Sequence, residues 1–326
     1  MPRLAFLFRT DVHTCDRSPS SWKADYPEEI WSNLEQIGVL AREHEVTAVL
    51  DGGDYFHIKA ASRNSHALVI KSISVQNAYP CSTYSVEGNH DVTYNNLNTL
   101  DEQPLGVLYE GGTFKRLRDE VFEDGGMRVR VVGVPYSPGR TLAELQAIQK
   151  QPGDDFLLAV VHQLAGASPP AKVEDFLKDP VFRYQDLVSE KGPDAFMFGH
   201  WHKDQGVVEI GGKQFINQGA VSRGALINEN TQRQPKVSLI EVTPSGLYVV
   251  EIPLSVAPAE DVFDFEKKER VEKETKSIDA FILQLQTNVN LDLAASIESN
   301  VAQLNFSQDV RETALTYLAR AREGVG

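Results

Sequence analysis

Residues 3 to 10, with the unbroken apolar run Leu4 to Phe8, read as a buried strand. Ile30, Leu34, Ile37 and Ala41 then recur at helical spacing, and a second apolar strand follows from Val46 to Leu50. A helical stretch from His66 to Ala78 leads to another strand at Ser82 to Val86, so strands and helices alternate as in a sheet packed by helices. Later the pattern changes to short apolar strands at Val129 to Val134, Phe156 to Val161 and Ala195 to Phe198. The turn signals Gly211-Gly212 and Ser245-Gly246 predict hairpins over 206 to 217 and 236 to 254. The pattern as a whole predicts an α/β fold, a two-sheet α/β sandwich with antiparallel strands added late.

After Pro253 the pattern breaks. Asp264 to Lys276 is dense in both signs of charge and poor in apolar residues, which reads as an exposed linker or a solvated helix. The expected organisation is a domain over 1–255, a charged linker over 256–277 and a short helical segment over 278–326. In that segment Leu293, Ile297, Val301 and Leu304 make one helical stripe. Val310, Ala314, Tyr317, Leu318 and Ala321 make a second after a cap at Ser307. Such stripes pack on their own domain or dock on another protein.

The chain has 326 residues, 41% hydrophobic and 24% charged, the composition of a globular protein rather than a disordered or fibrous one. The longest apolar runs fall well short of the roughly 18 residues of a membrane helix, and Leu4 to Phe8 is too short for a signal sequence, so a cytoplasmic location away from the membrane is expected. Two cysteines, Cys15 and Cys81, fit a reducing compartment. The net charge is −14; residues 256–326 carry 8 basic and 13 acidic side chains, so acidity is shared by both parts. An acidic protein that works on phosphate esters needs bound cations or a basic partner to attract its substrate.

The candidate chemistry lies at the ends of the expected strands, where an α/β sheet presents its site. Asp11 and His13 are two apart at the end of the first strand, and His200 and His202 repeat that spacing. In extended backbone both members of such a pair face one way and can grip one ion. Asp54 follows Gly52-Gly53 after the second strand, where its two oxygens can bridge two cations. Asn89 and His90 follow Gly88, and His162 ends a later strand. Amide and imidazole ligands mixed with two carboxylates suit first-row cations such as manganese, iron or zinc.

The ordered set Asp11-Val12-His13, Gly53-Asp54, Gly88-Asn89-His90-Asp91, His162 and Gly199-His200-Trp201-His202 resembles the calcineurin-like metallophosphoesterase superfamily. That resemblance implies two divalent transition-metal ions, with manganese the first choice. One would be held by Asp11, His13, Asp54 and His202, and the other by Asp54, Asn89, His162 and His200. It also implies that His90 contacts the scissile phosphate as a catalytic group and that Asp91 orients it.

Within the superfamily, Gly52-Gly53-Asp54-Tyr55-Phe56-His57 with Ser62-Arg63, the stretch Pro193 to His202, and Asn217-Gln218-Gly219-Ala220 resemble the SbcD-like nuclease subunit of double-strand-break repair. The match covers residues 1 to about 254. Cys15 stands where that family often has glycine, and Gln218 and Ala220 replace a proline and a serine. The region after 255 is too short for the separate DNA-capping domain of larger members. The resemblance implies a DNA phosphodiesterase with exo- or endonuclease activity, partnered through its C-terminal helices by an SMC-like coiled-coil ATPase (SbcC-like), and it leaves open a homodimer through the first helices. It further implies that His57 is a second histidine on the substrate side and that Arg63 contacts the phosphate backbone. A small-molecule or protein phosphoesterase of the same fold is the alternative. His44, His66 and the cluster Lys115, Arg116 and Arg118 read as surface or structural groups, the cluster offset by Asp119 and Glu120.

Overall fold

A computed structural model describes residues 2–169 and 179–267, together with 269, 270, 273 and 308. The first strands are β1 (Leu4–Arg9), β2 (Ala48–Asp51), β3 (Thr83–Ser85), β4 (Phe114–Arg116), β5 (Asp119–Asp124), β6 (Met127–Val134) and β7 (Phe156–His162). They are followed by β8 (Leu164–Gly166), β9 (Val181–Arg183), β10 (Ala195–Gly199), β11 (Gly206–Ile210), β12 (Lys213–Asn217), β13 (Lys236–Thr243) and β14 (Gly246–Pro253).

Two six-stranded sheets result, in the orders β14-β13-β1-β2-β3-β4 and β11-β12-β10-β7-β6-β5. In the first, β1 to β4 are parallel and the β13–β14 hairpin joins antiparallel to β1. In the second, β6, β7, β10 and β12 are parallel, with β5 and β11 antiparallel at the edges. The two-sheet α/β sandwich expected from the sequence is present, and both expected hairpins form.

Period-two alternation explains the layers. Phe6 and Phe8 of β1 and Leu50 of β2 point between the sheets, where they meet Val129, Leu158, Val160 and Met197. The intervening Ala5, Leu7 and Val49 face the other way, toward the helices α1 (Tyr26–Glu43), α2 (His66–Asn77) and α3 (Pro104–Glu110). On the second sheet Ala159, Val161, Phe196 and Phe198 face an outer cluster with Tyr184 and Phe215. Helix α1 begins where Asp25 accepts from the Glu28 amide, with a proline in the first turn, and ends with Arg42, as capping and the helix dipole favour. Ser65 caps α2 in the same way through the Leu68 amide. Among the described residues no helix is long and apolar enough to cross a membrane.

Met1–Phe263 forms one compact unit and Asp264–Gly326 a second. The first runs past the boundary expected at 255 because Leu254, Val262 and Phe263 are buried with Trp22 and Tyr26. In the second unit the Lys267 amide donates to the Asp264 carboxylate at 2.9 Å, the geometry of a helix cap. The two stripes expected over 293–304 and 310–321 lie outside the described residues.

Candidate metal centre

The loops that leave β1, β2 and β3 are zipped to one another. The amides of Asp11, His13 and Thr14 donate to the carbonyls of Gly53, Asp54 and Tyr55 at 3.0, 3.0 and 2.7 Å. Asp11 and His13 lie beyond the end of β1 with φ near +53°, Asp54 has φ of +55° and His200 has φ of +85°. Left-handed backbone at a non-glycine residue costs on the order of 1–3 kcal/mol and persists only where its surroundings over-determine it. Four of the seven groups expected to hold metal carry that strain. The extended-strand geometry expected for Asp11 and His13 is therefore corrected: they converge through two left-handed turns. The same correction applies to His200 and His202, which face different groups rather than one ion.

Asp11, His13, Asp54 and His202 bring one donor atom each within 4.8 Å of one another, and Asp54, His162 and His200 do the same. Asp54 is common to both groups. In the first, His13 Nε2 lies 2.9 Å from His202 Nε2 and 4.0 Å from Asp54 Oδ2, while His202 Nε2 lies 3.4 Å from Asp11 Oδ1. In the second, His162 Nε2 is 3.4 Å from Asp54 Oδ2. The other imidazole nitrogen of His162 donates to the Gly52 carbonyl at 2.6 Å, which leaves Nε2 buried and without a hydrogen-bond partner. A buried ring nitrogen aimed at a carboxylate with no hydrogen bond to it is a position that a cation between the two would complete.

Asn89 fits the same site. Its amide sits 3.1 Å from Asp54 Oδ2 and 3.0 Å from His200 Nδ1 on one side, and 3.1 Å from Lys59 Nζ on the other. With its NH2 turned to the two acceptors and its oxygen to the lysine the amide satisfies all three; were a cation held by Asp54, His200 and Asn89, the amide oxygen would be its ligand instead. Glycine is required nearby, because a Cβ at Gly88 would run into the Asp54 carboxylate and its amide. The donor set of two carboxylates, one amide and four imidazoles carries the residues of a dimetal centre and suits first-row divalent ions.

The electrostatics are those of buried carboxylates among imidazoles. Burial pushes the Asp11 carboxyl up, but the hydrogen bond and charge of His202, aided by His162, bring it down to about 2. Burial likewise opposes ionisation of Asp54, and the charge of His162, then of His90 and His13, holds it well below the usual carboxylate range. Burial lowers His162, yet the Asp54 charge overrides it and raises it to about 9. Burial and the charge of His202 push His13 well below its ordinary value, which keeps its lone pair free.

His57 and His90 stand beside the first group, their rings stacked with centroids 5.5 Å apart. His57 is exposed, and its Nδ1 lies 3.4 Å from His13 Nδ1. His90 donates from its backbone to Asp54 Oδ1 at 2.7 Å and from ring Nδ1 to the His57 carbonyl at 2.6 Å, so its Nε2 is the ring nitrogen left for other work. Asp91 does not touch that ring. Its carboxylate accepts the amides of Asp54, Gly88, Tyr55 and Phe56 at 2.8 to 3.2 Å. The expectation that Asp91 orients the His90 ring is corrected: it staples the loop of Asp54 to the loop of Asn89 and His90. Arg63 is exposed on a short turn, Ala61–Arg63, and among the described residues it pairs with no side chain of the metal groups.

Several neighbours were not legible in the sequence. Asp179 and Tyr136 stand behind His200, and Lys59 meets Asn89; each comes from a segment without a recognisable motif. Arg116 and Arg118, whose charge the sequence shows offset by Asp119 and Glu120, are part-exposed and share one acidic partner. Both bind the fully buried Glu87, at 2.5 Å and at 2.7 to 2.8 Å, and so brace the strand end that carries Gly88 and Asn89. A buried carboxylate needs such partners.

Among solved structures, a dimetal phosphatase from Danio rerio is 14% identical, covers 78% of this chain and 100% of its own, and superposes with a TM-score of 0.50. A calcineurin-like phosphoesterase from Bacillus subtilis is also 14% identical, covering 80% of this chain and 94% of its own with a TM-score of 0.43. At such identity the likeness to the first speaks for the fold alone. No curated protein matches the chain. The model of the Calcineurin-like phosphoesterase family matches residues 4–204, more than half of the sequence and all seven of the converging groups. The chain belongs to the calcineurin-like phosphoesterase family.

Proposed function

We propose that this chain is a metal-dependent DNA phosphodiesterase, the nuclease part of a complex with an SMC-like coiled-coil ATPase, and that manganese is its working metal. The observation that carries a polymeric substrate is the openness of the centre: the His202 side chain is 50% exposed and His57 is exposed beside it, so a long phosphodiester can lie across the site. The family segment from Gly52 to His57, with Ser62-Arg63 beyond it, supports DNA as that polymer. Asp11, His13, Asp54 and His202 would hold one ion, and Asp54, Asn89, His162 and His200 the other. Two bound cations would supply Lewis-acid polarisation of the phosphoryl oxygens and a water nucleophile available near neutral pH.

The chain's own groups would do the rest. His90 Nε2 would hold a proton for the leaving oxygen, with the ring fixed by its Nδ1 bond to the His57 carbonyl. Lys59 and the exposed Arg63 would bind neighbouring phosphates, which the net charge of −14 otherwise repels. That same acidity favours a second reading, a phosphoesterase for small molecules or proteins.

A manganese-supplemented assay offering linear duplex DNA, circular single-stranded DNA, nucleotides and phosphopeptides to the whole chain, with and without a coiled-coil ATPase, separates the two. Cleavage of DNA that requires His90 supports the nuclease. Turnover confined to small phosphoesters overturns it.

A further inference from the structure

His200 is held from behind. Its Nε2 lies 3.0 Å from Asp179 Oδ2, and the Tyr136 hydroxyl donates to the other oxygen of Asp179 at 2.6 Å. The Tyr136 ring tilts against the His200 ring with centroids 5.1 Å apart, and the side chains of His200 and Asp179 are only 11% and 12% exposed. On its opposite edge, His200 Nδ1 faces the Asn89 amide at 3.0 Å. A neutral imidazole has one N–H, and a carboxylate on Nε2 draws that hydrogen to Nε2 and leaves the lone pair on Nδ1, toward Asp54 and Asn89. The backbone does not favour this pose by itself: His200 has φ of +85°, held by its amide donating to both Asp11 oxygens at 3.1 and 3.2 Å.

We propose that Asp179 and Tyr136 are positioning residues that fix His200 with its hydrogen on Nε2, so that Nδ1 is a ready donor for the cation it shares with Asp54, His162 and Asn89. The inference deepens the two-metal reading and rests on it for its consequence. Tyr136 secures one Asp179 oxygen, so the other is committed to His200. His162 is fixed by a different device, the Gly52 carbonyl, so the two imidazoles of this group are set independently.

The test uses the whole chain as wild type, Asp179→Asn and Tyr136→Phe, with manganese as the titrant in calorimetry. In Asp179→Asn the amide oxygen keeps the Tyr136 hydroxyl and its NH2 faces His200 Nε2, which drives the imidazole hydrogen to Nδ1 and blocks the donor. One of two manganese affinities should fall about 10–100-fold, the range seen when a partner behind a metal ligand is lost, while the other stays near wild type. Tyr136→Phe should shift the same affinity in the same direction by less. Nitrogen NMR of His200 in chelator-treated protein reads the hydrogen directly: on Nε2 in wild type, moved toward Nδ1 in Asp179→Asn. If Asp179→Asn fails to fold, Tyr136→Phe carries the affinity measurement, and unchanged manganese affinities there overturn the proposal. Unchanged manganese affinities, or a His200 hydrogen that stays on Nε2 in Asp179→Asn, overturn the proposal. A wild type that binds fewer than two manganese ions while the hydrogen still moves would defeat the two-metal reading and leave the positioning role standing.

Discussion

Strands β1, β2 and β3 deliver two carboxylates, an amide and one imidazole to the centre, whereas β7 and β10 deliver only imidazoles: His162, His200 and His202. The loops of the first sheet are tied to one another by backbone hydrogen bonds and by the four amides on Asp91. Two imidazoles of the second sheet are each set from behind by a single acceptor, His162 by the Gly52 carbonyl and His200 by Asp179. The first half thus supplies the negative charge that gathers cations and the rigidity that keeps it from dispersing. The second half completes the coordination and is the easier half to change.

The largest effect should come from removing the shared carboxylate. Asp54→Ala should abolish binding of both cations and lower turnover by on the order of 10³-fold or more, read by calorimetry and by phosphodiester hydrolysis; retention of one tight ion would show that Asp54 is not shared. His90→Ala should keep both cations yet lose on the order of 10²–10⁴-fold in turnover, the usual worth of a positioned general acid. His162→Ala on the opposite half should lose one ion and keep the other, so that a stoichiometry of one separates it from Asp54→Ala.

Much of this was readable before any coordinates. The apolar runs of β1, β2, β7 and β10 and the two glycine-marked hairpins were visible because buried strands have a strong, local signature. Asp54 stood out by its Gly-Gly neighbours, and the motif set named all seven converging groups. What stayed hidden was the backbone by which Asp11 and His13 converge, since a left-handed non-glycine residue leaves no mark on composition. The partners that brace the ligands were hidden too. Asp179, Tyr136 and the Glu87 pairs with Arg116 and Arg118 join segments distant in sequence, and a single sequence carries no trace of such contacts.

Two smaller effects sharpen the contrast of the halves. Asp91→Asn places an amide NH2 against two backbone donors, so unfolding free energy should fall by about 1–3 kcal/mol in urea melts; no change would mean that the loops are tied by the backbone alone. In chelator-treated protein His162 is raised above its unfolded value, to about 9, after burial is overcome by the Asp54 charge. That contribution to stability is complete below about pH 6.5 and is lost as pH rises through about 9. Because the cation must displace this proton, manganese affinity should strengthen over the same interval and binding should release protons; a pH-independent affinity with no proton release would contradict it.

The most direct test is anomalous diffraction at the manganese edge from crystals of the whole chain soaked to saturation. Two peaks about 3.5–4 Å apart, one on each side of the Asp54 carboxylate, are the expected result. A single peak that Asp54 does not border, or an absence of peaks with the seven side chains in place, would contradict a shared two-cation centre.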